Sequence, residues 1–334
     1  MNESITKEYK HNKNSYLKLH SHNYFQSNRP SKRFRVIVFD LDETLGSFQD
    51  FHILWTALQD FQKTHHPFPF NDVLDLYPEF IRTNIYPILH YVYQRKKEHK
   101  CKGIYLYTKN KNSVVWVQLI CRYFQHKINS LNDFFDKIVY AFKVDNHELE
   151  INDYDCKKAR SDFIQCVMLP STTEICFIDN TYFSEMKHAF VYYIQPSSYY
   201  HTLSSSDIIQ RFIHSNLLKN WNQRQKKELH DFLQFHFLHN PSVLPAVNSP
   251  DKQIWDEKVA QKIMFHVREF FYVQKMASMT RRNDSCAHDS LGKPTNVLCV
   301  LHFLLAECIG LLLIITAHRV LRFEIQYNHP NEYG

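Results

Sequence analysis

Two aspartates one residue apart, Asp40 and Asp42, are followed by Thr44 and stand directly after the apolar run Val36, Ile37, Val38 and Phe39. The run is too short for a helix and reads as a strand buried on both faces, as in a parallel sheet. Open sheets of that kind place their ligands at the carboxyl ends of the strands. Two carboxylates there repel each other and lose water, so without a cation at least one should rise in pKa. A hard divalent ion such as Mg²⁺ relieves this with oxygen ligands and keeps positions open for a phosphate. Asp40 can then attack phosphorus while Asp42 handles the leaving-group proton, with Thr44 in the same catalytic set. The local alternative is a capped turn, with Asp and Thr chosen for nearby hydrogen bonds.

The hexapeptide Asp-Leu-Asp-Glu-Thr-Leu at 40–45 resembles the first motif of the haloacid dehalogenase superfamily. More narrowly, it is similar to the branch that dephosphorylates the C-terminal domain of RNA polymerase II. The resemblance implies a Rossmann-like α/β fold, with a central parallel sheet flanked by helices, and three further features downstream. The run Gly103, Ile104, Tyr105, Leu106, Tyr107 meets the first by ending in Thr108, to which the resemblance assigns a phosphate contact; ordinary strand-end chemistry is the alternative. Cys156-Lys157-Lys158-Ala159-Arg160 offers the lysine. Its cation would offset the acyl-phosphate charge, and Lys158 is favoured over Lys157 because Asp155 as a cap would set it in the first helical turn. Glu174, Ile175, Cys176, Phe177 and Ile178 run into Asp179-Asn180, which the resemblance makes metal ligands beside Asp40 and the main-chain oxygen of Asp42. Thr181-Tyr182 stands where many relatives continue with Ser-Pro or a nearby Pro, a departure that leaves the shape of the following loop open.

The elements that must carry these residues follow from periodicity. Phe51, Leu54, Trp55, Leu58 and Phe61 predict an amphipathic helix over 48–62, a core element or a lid. Helical spacing resumes over 72–98 and closes on Arg95, Lys96 and Lys97. Ser113 can cap a helix bearing Trp116, Leu119, Ile120, Tyr123 and Phe124. A strand is expected over 138–142, a loop or hairpin over 145–157, a helix over 161–169 and a last strand over 190–194.

Composition bounds the rest. The chain has 334 residues and only 5 Gly, enough for a substantial core and far from collagen-like or low-complexity architecture. The net charge of +6 is carried by residues 1–35, where eight Lys and Arg face two Glu. Residues 1–33 therefore read as a basic disordered tail, and the folded part carries no basic patch for nucleic acid. The 8 Cys form no C-x-x-C and no zinc spacing, and no apolar stretch near Met1 suggests a signal peptide, so the expected setting is the reducing cytosol or nucleus.

The catalytic domain is expected over 34–200 and a helical extension over 201–240. A Pro-punctuated linker and a helix over 252–278 come next. Residues 297–316 are long enough to cross a bilayer, with Glu307 near the middle; the alternative is a core helix. These features lead to a Mg²⁺-dependent phosphatase, and the substrate the resemblance implies is phosphoserine or phosphothreonine in a protein. The rivals are a phosphatase of a small phosphorylated metabolite and a catalytically silent, membrane-tethered scaffold.

Overall fold

The computed structural model describes residues 15–21, 24, 34–61, 68–110, 113–130, 133–140, 143–144, 147–148, 158–240 and 250–286, with side chains as far as 272 on the last helix and none placed for 140–148. At its centre is an α/β, Rossmann-like sheet in which β2 (Arg35–Phe39) is buried at every position. It pairs in parallel with β3 (Gly103–Thr108) on one side and β7 (Glu174–Ile178) on the other. Parallel pairing extends outward to β4 (Lys137–Tyr140) and β8 (Val191–Pro196). The antiparallel strands are β1 (Leu17–Leu19) on β8, β5 (Lys143–Val144) on β4, and β6 (His147–Glu148) on β5, giving eight strands in the order β1-β8-β7-β2-β3-β4-β5-β6.

Because successive strand residues face opposite ways, the alternation sorts two cores. Ile37, Phe39, Ile104, Leu106, Cys176, Ile178, Tyr192 and Ile194 face the larger one. Helices α1 (Gln49–Phe61), α2 (Phe70–Asp75), α3 (Ile85–Lys97) and α4 (Val114–Lys127) fill it, joined by α6 (Ser205–Ile213), α7 (Gln223–His239) and the first part of α8 (Pro250–Cys286). Val36, Val38, Tyr105, Tyr107, Ile175, Phe177, Val191 and Tyr193 face the smaller one. Among the described residues that face is covered by α5 (Arg160–Val167), through Phe163 and Val167, and by Phe183 and Met186.

The predicted stripe on α1 is core: Phe51, Leu54 and Leu58 are buried, with Trp55 and Phe61 packed against them. Burying a side chain of that size stabilises by about 2 to 3 kcal/mol. The helical pattern over 72–98 is broken in two, because Pro78 restricts Tyr77 to a non-helical conformation and opens a short 3₁₀ turn, Pro78–Phe80. Likewise 205–240 divides where two helices each start on a capping box, Ser204 with Asp207 and Asn222 with Gln225.

Residues 15–24 correct the expectation of a structureless tail where they are described. β1 closes one edge of the sheet, and Tyr24 is fully buried against Tyr192 and Phe270 with its hydroxyl donating to Glu174. The compact unit containing the sheet runs to Val273, so α8 starts within it. No described helix is long and apolar enough to cross a membrane; residues 297–316 lie outside the described residues, as does the linker at 241–249.

Candidate active site

Asp40 follows β2 directly, its N–H donating to Ile178 O at 2.9 Å, and Asp179 follows β7, its N–H donating to Ile194 O at 3.2 Å. Both main chains stay in register with the sheet one residue past the strands, which aims the two carboxylates at the same spot. Lys158, just before α5, donates to Asp40 Oδ1 and Asp179 Oδ2, each at 2.6 Å. The ammonium is buried among the rings of Tyr107, Phe177 and Phe183, at 5.5, 5.9 and 5.5 Å from their centroids. Burial alone would lower its pKa, but the charges of Asp40 and Asp179 outweigh that and hold it above the ordinary lysine value. Lys157 lies outside the described residues.

Asp42 is pushed up to about 7, first by burial and then by Asp40, against a hydrogen bond from Asn110. Burial and Asp40 also push Asp179 up, opposed by Lys158 and by the Thr181 N–H at 2.8 Å. Among the described residues one lysine, hydrogen-bonded to Asp40 and Asp179 and acting on Asp42 through space, faces three carboxylates. Oxygen donors of this kind suit a hard divalent cation, which Asp40 and Asp179 could hold together with the main-chain oxygen of Asp42. Among the described residues no cluster of three or more His, Cys, Asp or Glu side chains forms a metal cage; this set draws on two carboxylates and a main-chain oxygen.

Asn180 bonds to the loop after β2 and to Ser198. Its Oδ1 accepts from Thr44 Oγ1 at 2.9 Å, and its Nδ2 donates to Glu43 Oε2 and Ser198 Oγ, each at 3.0 Å. The Thr44 hydroxyl also accepts the Asn180 N–H at 3.1 Å. Thr44 and Asn180 therefore stitch the loop after β2 to the loop after β7, with the Asn180 amide oxygen accepting from Thr44. Thr108, buried at the end of β3, accepts the Asn110 N–H at 3.1 Å and keeps a hydroxyl hydrogen to donate.

Several supporting residues carry no motif in the sequence. Asn110 orients Asp42, donating to its Oδ2 at 2.6 Å; an amide two residues past a strand end is the one signal that could have pointed to it. Tyr193 holds the loop after Asp179, donating to Thr181 O and accepting the Phe183 N–H. Tyr200 donates to Glu43 Oε2 at 3.0 Å. Glu43 itself has φ 60, a left-handed conformation uncommon outside glycine. At Gly46 an added Cβ would lie 2.4 Å from the Phe48 ring and 2.5 Å from Phe80 O, so the turn closes only around glycine.

Compared with family models, with curated proteins and with solved structures, the chain matches none significantly.

Proposed function

We propose that this chain is a Mg²⁺-dependent phosphomonoesterase of the haloacid dehalogenase type, working through an aspartyl-phosphate on phosphoserine or phosphothreonine in a protein. The observation that carries the reading is Lys158, whose ammonium bridges Asp40 and Asp179 at 2.6 Å each. The strand order supports it too: β2 sits between β3 and β7, so Asp40, Thr108 and Asp179 emerge along one edge of the sheet.

The roles follow from protonation and reach. Asp40 attacks phosphorus through a carboxylate oxygen, and the bond to the leaving oxygen breaks as Asp42 delivers its proton there. Water then attacks the phosphorus of the acyl-phosphate, passing its proton to the Asp42 carboxylate; inorganic phosphate leaves and Asp40 is regenerated. Asp42 suits both halves because its carboxyl, raised to about 7, exchanges protons near neutrality. Thr108 donates to a phosphate oxygen, and Lys158 offsets charge on the acyl-phosphate. A bound Mg²⁺, held by Asp40, Asp179 and the Asp42 main-chain oxygen, would supply charge neutralisation at the transferring phosphoryl group.

A small phosphorylated metabolite is the second substrate reading. It is favoured by α1, which leaves the catalytic loop directly for the core, where Phe51, Leu54 and Leu58 are buried.

The deciding experiment is hydrolysis of p-nitrophenyl phosphate by the full chain with and without Mg²⁺, beside Asp40→Asn. Metal-dependent turnover lost in the variant is the expected result. A folded wild-type chain inert toward aryl phosphate, phosphopeptides and sugar phosphates alike would sink the reading in favour of a scaffold.

A further inference from the structure

We propose that Arg82 is the positioning residue of the catalytic loop, a planar fork that grips the two main-chain carbonyls following Asp42 and so fixes where that carboxyl stands. The kinetic part rests on the phosphatase reading; the structural part does not.

Arg82 is 1% exposed and heads the largest fully buried side chains. Its main-chain N–H donates to Leu45 O at 3.0 Å, one residue past the bridge between Gly46 and Ile81. Nε donates to Thr44 O at 2.5 Å, and Nη2 donates to Glu43 O at 2.5 Å and to Ser197 O at 2.8 Å. The Glu43 carbonyl also accepts the Tyr199 N–H at 2.9 Å.

Every one of those acceptors is a main-chain carbonyl. Among the described residues no carboxylate hydrogen-bonds to this guanidinium, and its Nη1 is buried without a partner. Burial disfavours the charged guanidinium, and the carboxylates of Asp256 and Glu43 offset that only through space, without a hydrogen bond to it. Burying a cation without a hydrogen-bonded anion is unfavourable, so stability alone is a poor reason for arginine here. Geometry is a better one: the fork presents donors on Nε and Nη2 at a fixed spacing, which an ammonium cannot do. With both carbonyls held, the turn that keeps Glu43 at φ 60 cannot unwind. That turn lies between Asp42, which must reach the leaving oxygen, and Thr44, which is tied to Asn180.

The grip has a backing layer. The guanidinium lies 5.3 Å from the centroid of the Tyr199 ring, and Lys252 of α8 lies 4.9 Å from the same ring while paired with Asp256. Trp255 donates to Ser197 Oγ at 3.2 Å. The first turns of α8 therefore support the segment that supports Arg82.

The test uses the full chain with Arg82→Lys, which keeps the charge and loses the fork, and Arg82→Ala, which opens space for a small cation. For Arg82→Lys we expect kcat on p-nitrophenyl phosphate to fall about 100-fold with KM nearly unchanged. Hydrogen exchange over 41–47 should quicken about tenfold, while 103–108 and 174–178 keep their protection. Arg82→Ala should recover at least about tenfold in rate with millimolar ethylguanidinium and nothing with ethylammonium. A folded Arg82→Lys with unchanged kcat and unchanged loop exchange overturns the proposal. So does faster exchange spread evenly over the sheet with no guanidinium rescue, which would make Arg82 a residue of general stability. If the wild-type chain hydrolyses nothing, the phosphatase reading fails, and loop exchange with and without ethylguanidinium decides the role of Arg82 alone.

Discussion

The side-chain amide of Asn110 donates to Asp42 Oδ2 at 2.6 Å, and this bond favours the ionised form of a carboxyl that burial and Asp40 push the other way. With Asp42 as the general acid, kcat/KM of the wild type should fall as pH rises through about 7. Removing the amide in Asn110→Ala leaves the proton on Asp42 to higher pH, so the alkaline limb should move up by about one unit. An unshifted limb in the pH–rate profile would take Asp42 out of the acid role.

Lys158 is the one cation hydrogen-bonded to Asp40 and Asp179 among the described residues. Lys158→Met should abolish turnover and leave two buried carboxylates facing each other, a loss of about 3 to 5 kcal/mol. Because Asp179, already pushed up by burial and by Asp40, can escape repulsion by taking up a proton, urea midpoints should recover much of that loss on going from pH 8 to pH 5. Equal destabilisation at both pH values would mean that Lys158 acts through packing alone.

The same electrostatics make the metal-free protein sensitive to pH. Asp42 has a folded pKa raised from 3.8 to about 7, so between those values the folded state binds more protons than the unfolded one. Stability must then fall as pH rises through that window, by up to about 4 kcal/mol from this group. In the presence of a chelator, Asp42→Asn should flatten the decline and be more stable than wild type at pH 8. Denaturant melts from pH 4 to pH 8 would falsify this if the wild-type curve were flat or rising.

Gly46→Ala tests the turn itself. A Cβ there meets the Phe48 ring and the Phe80 carbonyl, and the carbonyl belongs to main chain that cannot swing aside. Thermal unfolding should show a loss of about 1 to 3 kcal/mol. A variant that melts with the wild type would show that the 46–48 turn is looser than described.

The parallel strands were legible because each is a short, continuous apolar run, and three of them end in residues whose chemistry marks the strand end: Asp40, Thr108 and Asp179. Lys158 was legible only as one of two adjacent lysines. What the sequence hid are contacts made to main chain. Arg82 grips carbonyls, which every residue possesses, so no spacing announces it. Tyr24 and Leu17 were hidden differently, as single apolar residues scattered in a polar stretch whose packing depends on a strand far along the chain, Tyr24 meeting Tyr192 and Leu17 pairing with Pro196. The break at Pro78 could have been read from the proline, whereas the packing of α8 beside Tyr192 and Arg35 could not, since helical periodicity names a buried face but not what covers it.

Among the described residues the two sheet faces differ in what covers them. Among the described residues the smaller core is closed by α5, eight residues long, and by the turn around Phe183 and Met186. A short helix of this kind is where local opening can occur while the rest of the molecule stays folded. Lys158 is the residue at its threshold, so each such opening would withdraw the ammonium and leave Asp40 and Asp179 unneutralised. The lifetime of the competent site would then be set by the residence of one short helix on its sheet, long before the protein as a whole unfolds.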